Sequence, residues 1–226
     1  MKLTLLCALA MIDVTLSTDS FYFSYSFDLT HSQQRLAHTT ENFREQPLID
    51  RADHRFIWNN HLIAPFQTGG YSHFCLPIIH GFVSIRSVFV NGRTFDWAII
   101  SRRSIHRAGT RYFVRGADLD GSTANYVETE QLVIYNRSIA SFILTRGSIP
   151  LCWTQRPNIK YKPKPKINDR YDQLKVFKLH VDEQVVLYGR QVLVNLIDQK
   201  GGEKVLESNF SDIVNRAENR MIKFVI

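Results

Sequence analysis

Cys75–Ser101 reads CLPIIHGFVSIRSVFVNGRTFDWAIIS, and the two residues near its middle decide how this part of the chain folds. Asn91-Gly92 is the strongest short-range hairpin signal, because both residues tolerate the positive φ angles of a tight turn. On either side lie runs rich in β-branched and aromatic residues, which read as strands. The expectation is therefore an antiparallel pair closed by a two-residue turn.

Toward the N-terminus, FYFSYSFDLT (Phe21–Thr30) alternates aromatic with small polar residues, the period-two pattern of a strand. Two helical stretches are expected after it. One covers about His31–Asn42, and the other starts near Asp50 and carries Phe56, Ile57 and Trp58. The glycines of FQTGGYSHF (Phe66–Phe74) mark a loop. Ahead of all this, LTLLCALAMI follows Met1-Lys2 and has the look of a secretory leader. Asp13 interrupts the run, however, and its small-x-small pair (Ala8, Ala10) lies inside the apolar segment. An amphipathic helix is the preferred reading.

Toward the C-terminus, Ser101–Gln131 places Arg102, Arg103, Arg107, Arg111 and Arg115 within fourteen residues, followed by Asn125, Glu128 and Glu130. Arginine captures phosphate oxygens with a planar, bidentate fork. The spacing of four from Arg103 to Arg115 fits a basic helix face. The aromatic, β-branched TRYFVRG and the break at Ala108-Gly109 favour a loop followed by a hairpin instead. ADLDGST then reads as a turn into a long strand, ANYVETEQLVIY. SFILTRGSIPLCW continues as strand, with a break at Gly147 and Pro150, and NIKYKPKPK is a basic, proline-spaced linker.

A helix begins near Asp169, with Leu174, Phe177, Val181 and Val185 as its apolar stripe and Gly189 as its terminator. The strand QVLVNLI, a turn at Gly201-Gly202, a helix carrying Leu206, Phe210, Ile213 and Val214, and the strand MIKFVI complete the chain. Helix, strand, helix, strand is the order of a parallel α/β unit, which here follows a β-rich part. Sheets of that kind bind ligands beyond the carboxyl ends of their strands.

The chain has 226 residues, a formal charge of +7 and a pI near 9.4, which favours an anionic partner. Nucleic acid is set aside, because no stacking motif or known nucleic-acid fold accompanies the charge. Three cysteines without a pattern exclude a disulfide framework, and no Cys/His cluster suggests zinc or another metal. No apolar run approaches the ~18 residues of a membrane span. Phosphatases that attack through cysteine need the pattern C-x₅-R, whose arginine and amides hold the phosphate and lower the thiol pKa. Six residues beyond Cys7, Cys75 and Cys152 stand Asp13, Gly81 and Asn158, and Arg156 follows Cys152 by only four. No catalytic residue is assigned, and no metal or other cofactor is expected.

FYFSYSFDLTHSQQRL, DHRFIWNNHL, LPIIHGFVSI, RRSIHRAGTRYFVRG, NYVETEQ, TRGSIPLCW, NIKYKP and LVNLIDQKGGEK resemble, in the same order, segments of the Sac family of phosphoinositide phosphatases. They lie nearest to members of the endoplasmic reticulum and Golgi that hydrolyse phosphatidylinositol 4-phosphate. The resemblance implies a mixed α+β and α/β fold. It divides the chain into a partial β-rich Sac N-terminal subdomain, residues 1–90, and the first part of an α/β cysteine-phosphatase domain, residues 91–226. It also implies a phosphocysteine mechanism and a membrane-held protein whose site faces the cytosol. The nucleophile loop and membrane anchors of the family are expected outside these residues, so the chain alone is expected to be inactive.

Under this reading Arg102, Arg103, Arg107, Arg111 and Arg115, with Lys160 and Lys162, face phosphoinositide headgroups on an anionic membrane surface. Lys164 and Lys166 extend the same basic linker, which reads equally as merely soluble. The competing reading of the arginines is a solvated basic face salt-bridged in part to Glu128 and Glu130. These two carboxylates share a strand face about 7 Å apart and are read as structural partners of arginine. Asn125 is read as a turn or strand-start residue, and Trp153 as core. The alternative function is a non-catalytic module that binds phosphoinositide or anionic membrane.

Overall fold

The structure, a computed structural model, describes residues 2–110, 113–158 and 163–225. It falls into two compact units, Met1–Arg102 with Thr129–Ile143 and Arg103–Glu128 with Leu144–Ile226. The family-based junction near residue 90 lies inside the first.

That unit is organised by the hairpin. Strand β1 (Phe21–Tyr22), β2 (Ile79–Val90), β3 (Arg93–Arg103), β4 (Val127–Tyr135) and β5 (Ser138–Arg146) form one sheet in chain order. The β2–β3 register runs without slip from Gly81↔Arg102 to Val90↔Arg93. Its turn is Asn91 at φ 51° and Gly92 at φ 75°, the left-handed pair the dipeptide predicts. Asn136, at φ 54°, starts a second two-residue connection between β4 and β5. No glycine marks that turn, so the sequence reads through it as continuous strand.

Two expectations fail in this unit for local reasons. Phe21–Thr30 is strand only at Phe21–Tyr22. Beyond that, the Asp28 Oδ1 accepts the Thr30 N–H at 2.9 Å, the Thr30 hydroxyl at 2.7 Å and the His31 N–H at 3.2 Å. A side chain that takes three local donors offers the backbone an alternative to the sheet ladder. The helix expected over His31–Asn42 is broken into short pieces, Gln33–Leu36 (α2) and Glu41–Glu45 (α3). Thr39 donates its hydroxyl to the Leu36 carbonyl at 2.7 Å, and Thr40 accepts the Phe43 N–H at 3.3 Å, so two adjacent threonines end one helix and cap the next. Pro47 then opens α4 (Leu48–Arg51), and Asn60–Thr68 forms α5, which takes up the first residues of the expected 66–74 loop. Ile49, Ala52, Ile57, Ile63 and Cys75 make a small core under these turns.

The N-terminal helix α1 (Lys2–Leu16) is not amphipathic in use: Leu6, Leu9, Met11, Ile12 and Val14 are all exposed. Among the described residues no helix is long and apolar enough to cross a membrane.

The second unit follows its sequence closely. Strands β6 (Trp153–Thr154) and β7 (Lys166–Ile167) pair antiparallel. Helix α6 (Gln173–Tyr188) starts where Asp172 accepts the Lys175 N–H at 3.1 Å and stops at Gly189, φ 75°. Strand β8 (Gln191–Val194), helix α7 (Lys204–Ala217) and strand β9 (Ile222–Val225) give a parallel pair in register Gln191↔Ile222 through Val194↔Val225. Leu151, Trp153, Phe177, Val181, Leu206, Phe210 and Ile213 form the core, as the two apolar stripes require. The Phe210 ring stands edge-on to Phe177 at 6.2 Å and to Phe224 at 5.3 Å. Truncating it to alanine would cost about 3–5 kcal/mol. A β-sheet and helices segregated along the chain, with this short parallel unit, make the fold α+β.

Candidate functional site

Between β3 and β4 the chain makes a long excursion that closes on itself, the Ser104 N–H donating to the Tyr126 carbonyl at 2.8 Å. No helix forms among its described residues, so the loop reading of the arginine block holds and the helical face does not. The organiser is Asn125. It sits at φ 54°, its N–H donates to the Arg107 carbonyl at 3.2 Å, and its Oδ1 accepts both the Gly109 N–H at 3.1 Å and the Arg103 guanidinium. Arg103 also donates to the Gly109 carbonyl at 3.0 Å.

Arg107 is itself left-handed, at φ 49°, and donates to the Arg115 carbonyl at 2.8 Å. A non-glycine residue in that region costs of order 1 kcal/mol and persists only where its surroundings over-determine it. The following turn is held by Asp118, whose Oδ1 accepts the Asp120 N–H at 3.1 Å and the Ser122 N–H at 2.9 Å. Gly116, at φ 69°, lets the backbone pass where a Cβ would come within 2.6 Å of the Leu151 carbonyl oxygen. Arg115 lies over the Trp153 ring at 5.6 Å from its centroid, a cation–π contact. Arg103, Arg107 and Arg115 are all partly exposed. Burial lowers the Arg103 pKa, yet a guanidinium stays charged at neutral pH.

Arg103, the last residue of β3, and Arg107 and Arg115 in the loop that follows are joined by this hydrogen-bond network. Arg102 is not with them. It is fully buried in β3, donating to Glu130 at 3.2 Å, and so offers no surface to a headgroup. Its position follows from strand alternation, which turns Arg102 to the face that also carries the buried Ala98 and Ile100. Arg111, Lys160 and Lys162 lie outside the described residues. Lys164 and Lys166 are exposed.

Glu130 also accepts the Gln33 N–H and the Ser141 hydroxyl, each at 2.7 Å. Glu128 accepts the Tyr188 hydroxyl, and Tyr126 donates to Gln184 at 2.7 Å. Both carboxylates are buried and engaged in the fold, Glu130 with Arg102 as an arginine partner and Glu128 with the Tyr188 hydroxyl. Cys152 is buried, and that burial pushes its thiol pKa up. Arg107 opposes the rise and Asp118 adds to it. A thiol raised in this way is a poor nucleophile at neutral pH. Among the described residues no His/Cys/Asp/Glu group is placed to hold a metal ion.

Reasoning from sequence missed the organising role of Asn125. The available signal was its residue type, since asparagine tolerates the left-handed region and carries a local acceptor.

The model of the SacI homology domain matches residues 3–225. Phosphatidylinositol-3-phosphatase SAC1-B of Danio rerio is 52% identical over 218 residues, covering 96% of this chain and 37% of the relative. Phosphatidylinositol-3-phosphatase SAC1 of Drosophila melanogaster is 45% identical over 217 residues (96% and 37%), and that of Saccharomyces cerevisiae 35% identical over 226 residues (95% and 35%). The chain thus spans a little over a third of the length of these relatives. With a match over nearly every residue, this chain is a member of the SacI homology domain family.

Proposed function

We propose that this chain is part of a phosphoinositide phosphatase, and that its loop 104–126 supplies a cationic surface for the phosphorylated inositol headgroup. Membership of the family supports the reaction class. The observation that supports the loop's role is the Asn125 knot, in which Oδ1 accepts from Arg103 and the Gly109 N–H and the backbone N–H donates to the carbonyl of a left-handed Arg107. Guanidinium groups held in advance bind phosphate with less loss of side-chain freedom than mobile ones. Arg103, Arg107 and Arg115 are assigned this role, and Arg111, Lys160 and Lys162 extend it by sequence alone.

The substrate class is a phosphatidylinositol monophosphate. The family resemblance points to the 4-phosphate, whereas the relatives' own names specify the 3-phosphate. The surface belongs on the cytosolic face of endoplasmic reticulum or Golgi membranes under the same resemblance. Cys7, Cys75 and Cys152 lack the C-x₅-R pattern, so these 226 residues contribute binding rather than phosphorus–oxygen cleavage.

The test is cosedimentation with neutral vesicles carrying phosphatidylinositol 3-phosphate, 4-phosphate or neither, alongside phosphate release. Salt-sensitive binding that requires a phosphoinositide, without release, is expected. Binding indifferent to phosphoinositide would overturn the role of the loop, and turnover would overturn the assignment of cleavage elsewhere.

A further inference from the structure

We infer that the end of the first unit's sheet, where the β2–β3 and β4–β5 turns lie side by side, inserts into an anionic lipid surface. It uses none of the arginine-loop residues and does not depend on them.

The placement follows from strand order. β3 and β4 are neighbours in the sheet. Arg102 meets Glu130 toward one end of this pair, and the Arg93 guanidinium lies over the Tyr135 ring, 5.8 Å from its centroid, at the other. The two strands therefore run in opposite directions, which brings the turns Asn91-Gly92 and Asn136-Arg137 to the same end. All four turn residues are exposed.

Apolar side chains surround that end. Opposed residues of an antiparallel pair share a face, and neighbours along a strand alternate. Ile85 and Phe89, opposite Ala98 and Thr94, stand on one face of β2–β3; Val90 and Trp97, opposite Arg93 and Arg86, stand on the other. All four are exposed, Phe89 at 71%. On the second hairpin Ile139 alternates with Ser141, which donates to Glu130, and so joins the Phe89 face. Tyr135 joins the Val90 face through Arg93. Both are exposed. A partner protein covers one face of a sheet, whereas a bilayer surrounds an inserted end. Exposed apolar groups gathered in one place mark such interaction sites.

Charge selects the lipid. Residues 85–97 and 133–140 hold Arg86, Arg93 and Arg137 against a single acid, Asp96, which accepts the Ser87 hydroxyl. Arginine keeps its guanidinium at the phosphates while its stem lies along apolar surface, and Trp and Tyr rings favour the headgroup level. Each arginine close to an acidic leaflet adds to the attraction. Phe89 stands two residues before the turn, about 7 Å from the tip. That lies within the ~5–10 Å depth at which interfacial apolar groups are buried. The partner is a lipid surface with acidic headgroups, and no phosphoinositide is required.

The experiment places an environment-sensitive fluorophore on Phe89→Cys in the 226-residue chain carrying Cys7→Ser. Vesicles of phosphatidylcholine, alone or equimolar with phosphatidylserine, are then titrated in. The same label on Asp19→Cys, exposed beside β1 at the other end of β2, is the control. A saturable blue shift at residue 89 with phosphatidylserine is expected, with none on phosphatidylcholine alone and none at residue 19. In the unlabelled chain Val90→Ser, at an exposed position, weakens cosedimentation with phosphatidylserine vesicles about three- to tenfold. Arg93→Gln with Arg137→Gln weakens it about 20-fold and flattens its salt dependence. No phosphoinositide is present, so failure here leaves the role of the arginine loop untouched. No shift at residue 89, an equal shift at residue 19, or an equal response to neutral vesicles would overturn the inference. Self-association without lipid that Val90→Ser abolishes would overturn it too, making this end an interface between copies.

Discussion

Arg102 and Glu130, 28 residues apart in the chain, form an ion pair at 3.2 Å in which neither side chain reaches solvent. Glu130 is further saturated by the Gln33 amide and the Ser141 hydroxyl, so the pair ties β3 and β4 to β5 and to the start of α2. Breaking such a pair from one side leaves a buried charge without compensation. Glu130→Gln is expected to destabilise the protein by about 3–5 kcal/mol, read as a lower urea midpoint at unchanged slope. The double replacement Arg102→Met with Glu130→Gln should recover most of that loss, since removing both charges is often nearly neutral and the carboxamide oxygen still accepts from Gln33 and Ser141. A double variant as unstable as the single one would refute this account.

Asn125 separates backbone from side chain cleanly. Asn125→Gly retains the left-handed φ of 54° at no steric cost and deletes only the Oδ1 that holds Gly109 and Arg103. Stability should fall by about 1–2 kcal/mol. Vesicle binding should fall several-fold, because Arg103 loses its bond to Asn125 and the Gly109 carbonyl it also bonds loses its own tether. If cosedimentation with phosphoinositide vesicles is unaltered while the urea midpoint drops, the amide serves folding alone.

His180 sets a pH window. Its Nδ1 lies 3.0 Å from the Gly121 carbonyl oxygen, and burial lowers its pKa from 6.5 to about 4, the hydrogen bond opposing the drop. Because the folded pKa lies below the unfolded one, the unfolded chain takes up the proton first as pH falls. The contribution is therefore fully present above about pH 6.5, declines toward pH 4 and is flat below that. It amounts to at most about 3 kcal/mol. Urea unfolding at pH 7.5 and pH 5 should show the decline, and His180→Gln should flatten it. The carboxyls of Asp28 and Asp53 stay below their usual range despite burial, which acts to raise both. Asp28 is held down by hydrogen bonds and charge from His31 and hydrogen bonds from Thr30, and Asp53 by Arg55 and Arg35. Their stabilisation is lost only at more acid pH, outside that window.

Thiol reactivity follows burial. Cys7 is exposed on α1, whereas Cys75 and Cys152 are buried, and burial raises the Cys152 pKa further. A thiol-specific chromogenic disulfide should titrate one fast equivalent in the native protein and the rest only after denaturation. Cys7→Ser should remove the fast phase. A fast second thiol in that variant would contradict the burial of the other two.

Much of this architecture was legible because it is encoded within a few residues. Asn91-Gly92 specifies its hairpin through two backbone angles. Gly189 ends α6 where the sequence puts its terminator, and the stripes at Phe177, Val181, Leu206, Phe210 and Ile213 reach the core that their spacing predicts. The lack of a C-x₅-R pattern is likewise a property of the string of residues. What only the tertiary structure decided is which members of one arginine cluster meet solvent. Arg102 and Arg103 are adjacent in sequence and chemically identical, yet strand alternation sends one to Glu130 in the interior and the other to Asn125 in the loop. Burial depends on partners contributed by distant segments, and no local pattern around Arg102 contains Glu130. The same holds for 31–42, where helical spacing was real but the hydroxyls of Thr39 and Thr40 took the backbone groups that a continuous helix needs.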